Sequence, residues 1–438
     1  MSIASGGPLP QQDGAYFGPS LSVDIVPNQP IVISQDHPIP TTSPGKADIV
    51  GFGMNGVVVL RDMLSIHLRS LDTYGEFGYN RAGWRIDKHV RLLADVTGNG
   101  KADIVGFGEE GVWVSHNNGD NTFSMPPKKV LGGFGYSTAT GEWRVEKHIR
   151  CLADIRNVGR CDIIGFGEKG ILVSKNNGDG TFTTPNLALI GFGWDQGWRL
   201  DKHLRFLADT TGDGLLDIVG FGETQVYLSL NNGDGTFGPM KSVFATLCHG
   251  AGGWRVDSHP RFLADLTGNG LVDIVGCGDQ GTYVALNNGN GGFEPSSGRL
   301  VVNMFGTAQG WRVEKHPRFV ADLTGDKRAD IIGFGEAGVY VCFNNGDGTF
   351  QPPKLILSDF TVQQGWLVAK HPRFVVDLTG NGCADIVGFG NDAVWASFND
   401  GKGGFGPKTK VIDGFGFNGG EWSLDTTLRY PVNLGTGL

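Results

Sequence analysis

"GWRVEKHPRFVADLTGDKRADIIGFG", residues 310–335, is written with small changes along almost the whole chain. Its Trp311 has counterparts at Trp84, Trp143, Trp198, Trp254, Trp366 and Trp422, spaced 55 to 59 residues apart. The aspartate of its "DIIG" step recurs at Asp48, Asp103, Asp162, Asp217, Asp273, Asp330 and Asp385. A fixed period of this length marks a repeat architecture, in which one unit buries its apolar face only against the next.

One unit divides into short apolar runs. "RFVADL" is followed by a Gly-bearing turn and "ADIIGFG". "GVYVCFNNG" alternates, with Val339, Val341 and Phe343 on one face and Tyr340 and Cys342 on the other. "PPKLILSDF" is a fourth, less regular run. Their length and their Val, Ile and aromatic content read as strands, and no long helical period appears. Turns of the "NNGDGTF" type carry Asn and Gly, which accept positive φ.

Four short strands repeated seven times predict an all-β fold, a seven-bladed β-propeller of four-stranded blades. Units of about 56 residues are marginal as separate domains, so one domain over residues 31–438 is expected. Residues 1–30 lie outside the repeats and read as an N-terminal arm or extension. The first "DIVGFG", Asp48–Gly53, lacks a preceding strand, while the chain ends on an orphan one. Residues 428–434 are therefore predicted to complete blade one and close the ring, which removes the open edges.

Composition narrows the function. The formal net charge is −9 with scattered Lys and Arg, which argues against a nucleic-acid groove. No apolar run reaches membrane-spanning length, and no classical signal peptide is visible, so no membrane insertion and a cytoplasmic or non-classically secreted protein are expected. The six Cys fit no metal or disulfide spacing and read as reduced structural residues.

Two motifs carry chemistry. The first is D-x-T-G-(D/N)-G-x-x-D, an oxygen-rich turn. Its copies are Asp95, Thr97, Asn99 and Asp103; Asp209, Thr211, Asp213 and Asp217; Asp265, Thr267, Asn269 and Asp273; and Asp377, Thr379, Asn381 and Asp385. Asp322, Thr324, Asp326 and Asp330 form a fifth, with Lys327 where Gly is usual. In blade three Arg156 and Val158 break the pattern. Alternate oxygens in a compact loop suit structural Ca2+. The same residues also suit an Asx-type turn that caps backbone N–H groups without an ion. Both readings stay open.

The second motif is "GWR(I/V/L)(D/E)KH" before each inner strand, with "GFGExG" between the second and third strands. Propeller geometry opens both loops on one face. This predicts groups of Trp84, Arg85 and Glu109; Trp143, Arg144 and Glu168; Trp198, Arg199 and Glu223; Trp254, Arg255 and Asp279; and Trp311, Arg312 and Glu336. An aromatic surface with charged hydrogen-bonding groups suits a sugar. Repetition suits multivalent binding more than catalysis. One acid per group is also half the pair of a glycosidase, so no enzyme is expected. The bland alternatives are a Trp wedge between blades, an Arg–Glu ion pair and a structural His at 89, 148, 203, 259, 316 and 371.

These phased motifs, with "PGKADIVGFG" near the start and "NNGDGTF" turns, resemble the Psathyrella velutina lectin family over about residues 31–438. The resemblance implies seven blades, sugars between neighbouring blades, calcium in some loops, and N-acetylglucosamine-terminated glycans as partners, with sialic acid as a further ligand. Departures are Leu367 and Asn391 in blade seven, Ser423 facing Met54–Asn55 at the closure, and Glu142 beside Trp143. The two junctions that lack Arg are expected to be weak. The competing function is a protein-binding propeller scaffold.

Overall fold

The computed structural model describes residues 48–61, 63, 71–119, 122–418, 422–432 and 434. The expected N-terminal arm, 1–30, lies outside them, as do residues 31–47. Seven four-stranded sheets are present among the described residues, each a meander of antiparallel neighbours. Blade two shows the pattern: Val90–Ala94 innermost, then Asp103–Gly108, Gly111–Ser115 and Lys128–Leu131. The second strand is buried along its whole length in every blade, whereas the fourth is largely exposed, as in Lys128–Leu131 and Lys354–Leu357. Burial on both faces explains why, after its leading Asp, "IVGF" is apolar and does not alternate.

The ring closes as the sequence predicts. Leu428–Val432 pairs antiparallel with Asp48–Phe52 and supplies the innermost strand of blade one. Leu434 extends the clasp: its N–H donates to Asp48 Oδ2 (3.0 Å), and its carbonyl accepts from Ala102 N–H (3.2 Å).

Three devices seal the gaps between blades. The first is the Trp of the repeat, buried at all seven positions, 5–8% exposed. Its six-membered ring lies against the Gly of the second strand. A Cβ on Gly276 would stand 2.7 Å from Trp254 Cη2, and one on Gly106 would stand 2.4 Å from Trp84 Cη2. Gly is required there by close approach, since neither residue has positive φ.

The second device is a buried arginine on each innermost strand. Arg91, Arg150, Arg205, Arg261, Arg318, Arg373 and Arg429 are at most 4% exposed. Each donates to the carbonyl of a buried residue with positive φ: Phe77, Phe134, Phe192, Leu247, Phe305, Phe360 and Phe415. Left-handed backbone is costly for bulky residues, and burial plus this charge-assisted bond offsets it. Burial pushes the Arg205 guanidinium down to about 9 and that of Arg261 to about 10.

The third device is the first Asn of "NNG". Its amide donates to a carbonyl of its own blade and to one of the neighbouring blade: Asn231 reaches Leu216 O (2.9 Å) and Ile155 O (2.8 Å). Asn117, Asn176, Asn287, Asn344 and Asn399 repeat the arrangement. From sequence this Asn reads only as a turn residue. All six Cys are free, as their spacing suggests. Among the described residues no helix is long and apolar enough to cross a membrane.

Candidate functional site

The "GWR…KH" segment folds back on itself before each inner strand. In blade four the Arg199 N–H donates to His203 Nδ1 (3.1 Å), and the His203 N–H donates to Arg199 O (2.8 Å). The same ring contact holds Arg85 to His89, Arg144 to His148, Arg255 to His259 and Arg312 to His316. Because Nδ1 accepts, the neutral ring carries its proton on Nε2. That nitrogen faces the acid of the same blade: Glu109 at 3.4 Å, Glu168 at 3.3 Å, Glu223 at 3.2 Å, Asp279 at 3.0 Å and Glu336 at 3.3 Å. Burial, reinforced by Arg91 and Arg150, depresses His89 to about 4. Burial also brings His148 to about 4. His89, His203 and His316, whose rings burial keeps from protonating, thus hold their acids in place as neutral donors.

The acids reach forward to the next blade. Glu223 is bonded by His203 and by His249 Nδ1 (3.1 Å), which stands in the loop entering blade five. These bonds hold the Glu223 carboxyl below its usual range. Asp279 accepts from His259 and from the hydroxyl of Thr307, in the loop entering blade six. The carbonyls of Glu109 and Glu168 accept from Ser137 N–H and Asp195 N–H, in the loops entering blades three and four.

The guanidiniums belong to those same entering loops. Arg144 donates to Tyr136 O (2.5 Å), Arg199 to Trp194 O (2.7 Å), Arg255 to His249 O (2.7 Å) and Arg312 to Thr307 O (2.8 Å). Each also donates to the carbonyl of its adjacent Trp. Arg85 does the same with Tyr79 O (2.5 Å) and Trp84 O.

This changes the expected grouping in two ways. First, Trp84, Trp143, Trp198, Trp254 and Trp311 offer no exposed face. Each packs edge-on to its His, with centroids 5.1–5.5 Å apart, and all but Trp254 lie against the positive-φ Phe at 4.9–5.0 Å. The wedge reading describes them. Second, each Arg side chain is anchored at the junction with the preceding blade, not beside its own blade's acid. No ion pair joins Arg85 to Glu109, Arg144 to Glu168, Arg199 to Glu223, Arg255 to Asp279 or Arg312 to Glu336 among the described residues.

The junctions regroup accordingly. Glu109 shares one with Tyr136 and Arg144, Glu168 with Trp194 and Arg199, Glu223 with His249 and Arg255, and Asp279 with Thr307 and Arg312. Arg85 and Tyr79 face the Met54–Asn55 loop, where Tyr79 N–H donates to Gly53 O and Asn80 N–H to Met54 O, with no acid of the repeat. Glu336 meets the loop with Val362 and Leu367, without Arg: Gln363 N–H donates to Glu336 O. Asn391 replaces the acid at the last junction and bonds His371 (2.9 Å). The signal that sequence reading missed is the residue four to seven places before each Trp, whose identity varies where everything around it repeats.

The Asp-rich turns are held by their own backbone. Asp209 Oδ1 accepts from Thr211 N–H (3.1 Å) and Gly212 N–H (2.7 Å), and Oδ2 from Gly214 N–H (2.8 Å). Asp95, Asp265, Asp322 and Asp377 do likewise. Lys327 takes the Gly position at φ 66°. The last aspartates, Asp103, Asp217, Asp273, Asp330 and Asp385, are buried and accept from one N–H of the turn and from that of the stapling Asn. Burial pushes Asp273 and Asp330 up to about 7. Asn99, Asn269 and Asn381 cap the N–H two residues on. In blade three Arg156 closes the altered turn by a two-pronged pair with Asp162 (2.7 and 2.8 Å).

A fit to calcium is strongest at 209–217. There the Thr211 hydroxyl is buried without a protein partner, and Asp213 uses one oxygen on Leu215 N–H (2.9 Å). The Thr324 hydroxyl is in the same state, but Asp326 is taken up by Arg328 (2.6 Å). The hydroxyls of Thr97, Thr267 and Thr379 bond the leading Asp instead. No group of three or more His, Cys, Asp and Glu converges as a metal site among the described residues.

A solved lectin from Agrocybe aegerita, described for specific recognition of non-reducing terminal N-acetylglucosamine, is 59% identical to this chain. The match covers 92% of this chain and 99% of that one, with a TM-score of 0.87. The chain belongs to this lectin family. Kinship at that level agrees with the resemblance carried by the repeats. More remote likenesses include the Photorhabdus luminescens Tc holotoxin pore, which matches at 16% identity and TM-score 0.46, over 73% of this chain and 14% of its own. The Vibrio cholerae biofilm matrix protein Bap1 matches at 13% and 0.30, over 81% and 63%. Neither bears on function. No protein-family model and no curated protein matches the lectin.

Proposed function

We propose that the protein is a multivalent, non-catalytic lectin that takes terminal N-acetylglucosamine at the junctions between its blades. The observation that carries this is 59% identity over 92% of the chain to a lectin described for that sugar. The junction chemistry supports it. An acid beside the repeat His and an Arg with donors to spare stand on neighbouring blades, suited to hydroxyls and an amide. Four junctions hold both groups, so four are assigned the strongest binding. Calcium is assigned a structural part at the 209–217 loop through Asp213 and the Thr211 hydroxyl.

The test uses crystals soaked with N-acetylglucosamine and three variants. Arg199→Ala and Glu168→Gln are expected to lower occupancy at one shared junction, each by about 1–3 kcal/mol, the scale for a lost charged partner. Glu223→Gln is expected to act at the next junction. Sugar lodged only at the Leu367 and Ser423 junctions, or only at the "NNGDG" turns, would overturn the assignment.

A further inference from the structure

Two of the four complete junctions amount to a natural substitution experiment. At Trp194 and at Thr307 the entering loops share one backbone. Each is a single 3-10 turn, Trp194–Gln196 or Thr307–Gln309, between a Gly with φ −92° and a Gly with φ 85° or 86°. Gln196 and Gln309 accept from the leading Gly N–H at the same 3.1 Å. Arg199 and Arg312 then donate to the same two carbonyls at nearly equal distances. What differs is the side chain under the guanidinium, together with the facing acid, Glu168 against Asp279, and its neighbour Lys147 against Ser258.

Arg199 Cζ stands 3.7 Å from the centre of the Trp194 ring. Lys147 of the preceding blade stands 4.9 Å from it and holds Glu168 at 3.2 Å. The neighbouring junction repeats this with Tyr136: Arg144 is 3.9 Å and Lys88 4.8 Å from its centre. Arg144 and Arg199 are half-buried, whereas Arg255 and Arg312, beside His249 and Thr307, are exposed. Thr307 also occupies the acid, through its hydroxyl bond to Asp279. A cation held over a ring face is attracted by the ring quadrupole and loses rotational freedom before any ligand arrives.

We infer that Tyr136 and Trp194 are positioning residues that set the affinity of their junctions, by fixing the guanidinium that meets the sugar, so that the lectin carries strong and weak sites of the same specificity. This rests on the reading that N-acetylglucosamine occupies the junctions. Preorganisation of the guanidinium is the term that Tyr136 and Trp194 contribute, beside the exchange of Glu168 for Asp279 and of Lys147 for Ser258.

The experiment reads both junctions in one crystal, with the full chain and graded N-acetylglucosamine. In the wild type the Trp194 junction should half-fill at about three- to tenfold lower concentration than the Thr307 junction. Trp194→Thr should raise the half-filling concentration of its junction by about three- to tenfold, and Trp194→Tyr should leave it unchanged. Thr307→Trp should move the weaker junction toward the stronger. The shared backbone of the two loops makes both exchanges compatible with folding. Equal half-filling in the wild type, or a Trp194→Thr protein that fills like the wild type, overturns this inference and leaves the lectin reading intact. Sugar absent from every junction at saturation overturns both.

Discussion

Trp254 and Gly276 should be coupled like a peg and its hole. Trp254 is 6% exposed and packs among buried residues of blades four and five. It is edge-on to His259 (5.4 Å) and Tyr283 (5.7 Å). Removing so large a buried ring leaves a cavity, and Trp254→Ala is expected to cost about 3–5 kcal/mol. Gly276→Ala alone drives a methyl to 2.7 Å from Trp254 Cη2 and Cζ3. Overpacking of this kind costs about 1–3 kcal/mol. The next atom, Arg261 Cγ, is 3.6 Å away, an ordinary contact. With the Trp gone the methyl has room, so Gly276→Ala in the Trp254→Ala background should cost nothing and gain about 0.4–1 kcal/mol through the unfolded chain. The coupling energy is then about 1–3 kcal/mol, well above the scatter of independent sites. Denaturant midpoints of the four proteins, at unchanged slope, measure it. Costs that simply add would refute the wedge. So would a Trp254→Ala loss below about 1 kcal/mol accompanied by lost sugar, which would restore the ring as a binding platform.

The His89 and His148 rings should resist protonation. His89 and His148, held near 4 by burial against an ordinary 6.5, stabilise the fold above about pH 6.5 and lose that contribution as pH falls toward 4. Asp273 and Asp330 work in the opposite sense, stabilising below about 3.8 and losing it as pH rises through 7, so a global melting profile mixes the two. Residue-resolved imidazole NMR separates them, and a ring that titrates near 6.5 would contradict the packing. Calcium added after chelation should raise the melting temperature through the 209–217 loop, and Asp213→Asn should abolish the rise; no rise in the wild type would leave the turn closed by its own N–H bonds alone.

The period of Trp311 and its counterparts was enough to determine blade number, strand order and closure. Apolar alternation and turn chemistry are local, and seven phased copies leave one way to bury all the second strands. The candidate residues were legible for the same reason: Arg, His and the acids recur in register. Their partners were not. A repeat looks the same whether Arg199 meets Glu223 of its own blade or stands beside Glu168 of the one before, because the sequence carries no coordinate across the gap between blades. The Asn of "NNG" hid its role likewise, since the Ile155 carbonyl it binds is 76 residues away from Asn231. Whether Trp198 shows its face or buries it also depends on packing: Gly220, the positive-φ Phe192 and the edge-on His203 surround it from its own repeat, and Phe166 and Val173 of the preceding blade complete the cluster. Strand pairing within a blade and the His–acid bond follow from short-range pattern, whereas the meeting of one blade's acid with the next blade's Arg arises only where neighbouring repeats pack.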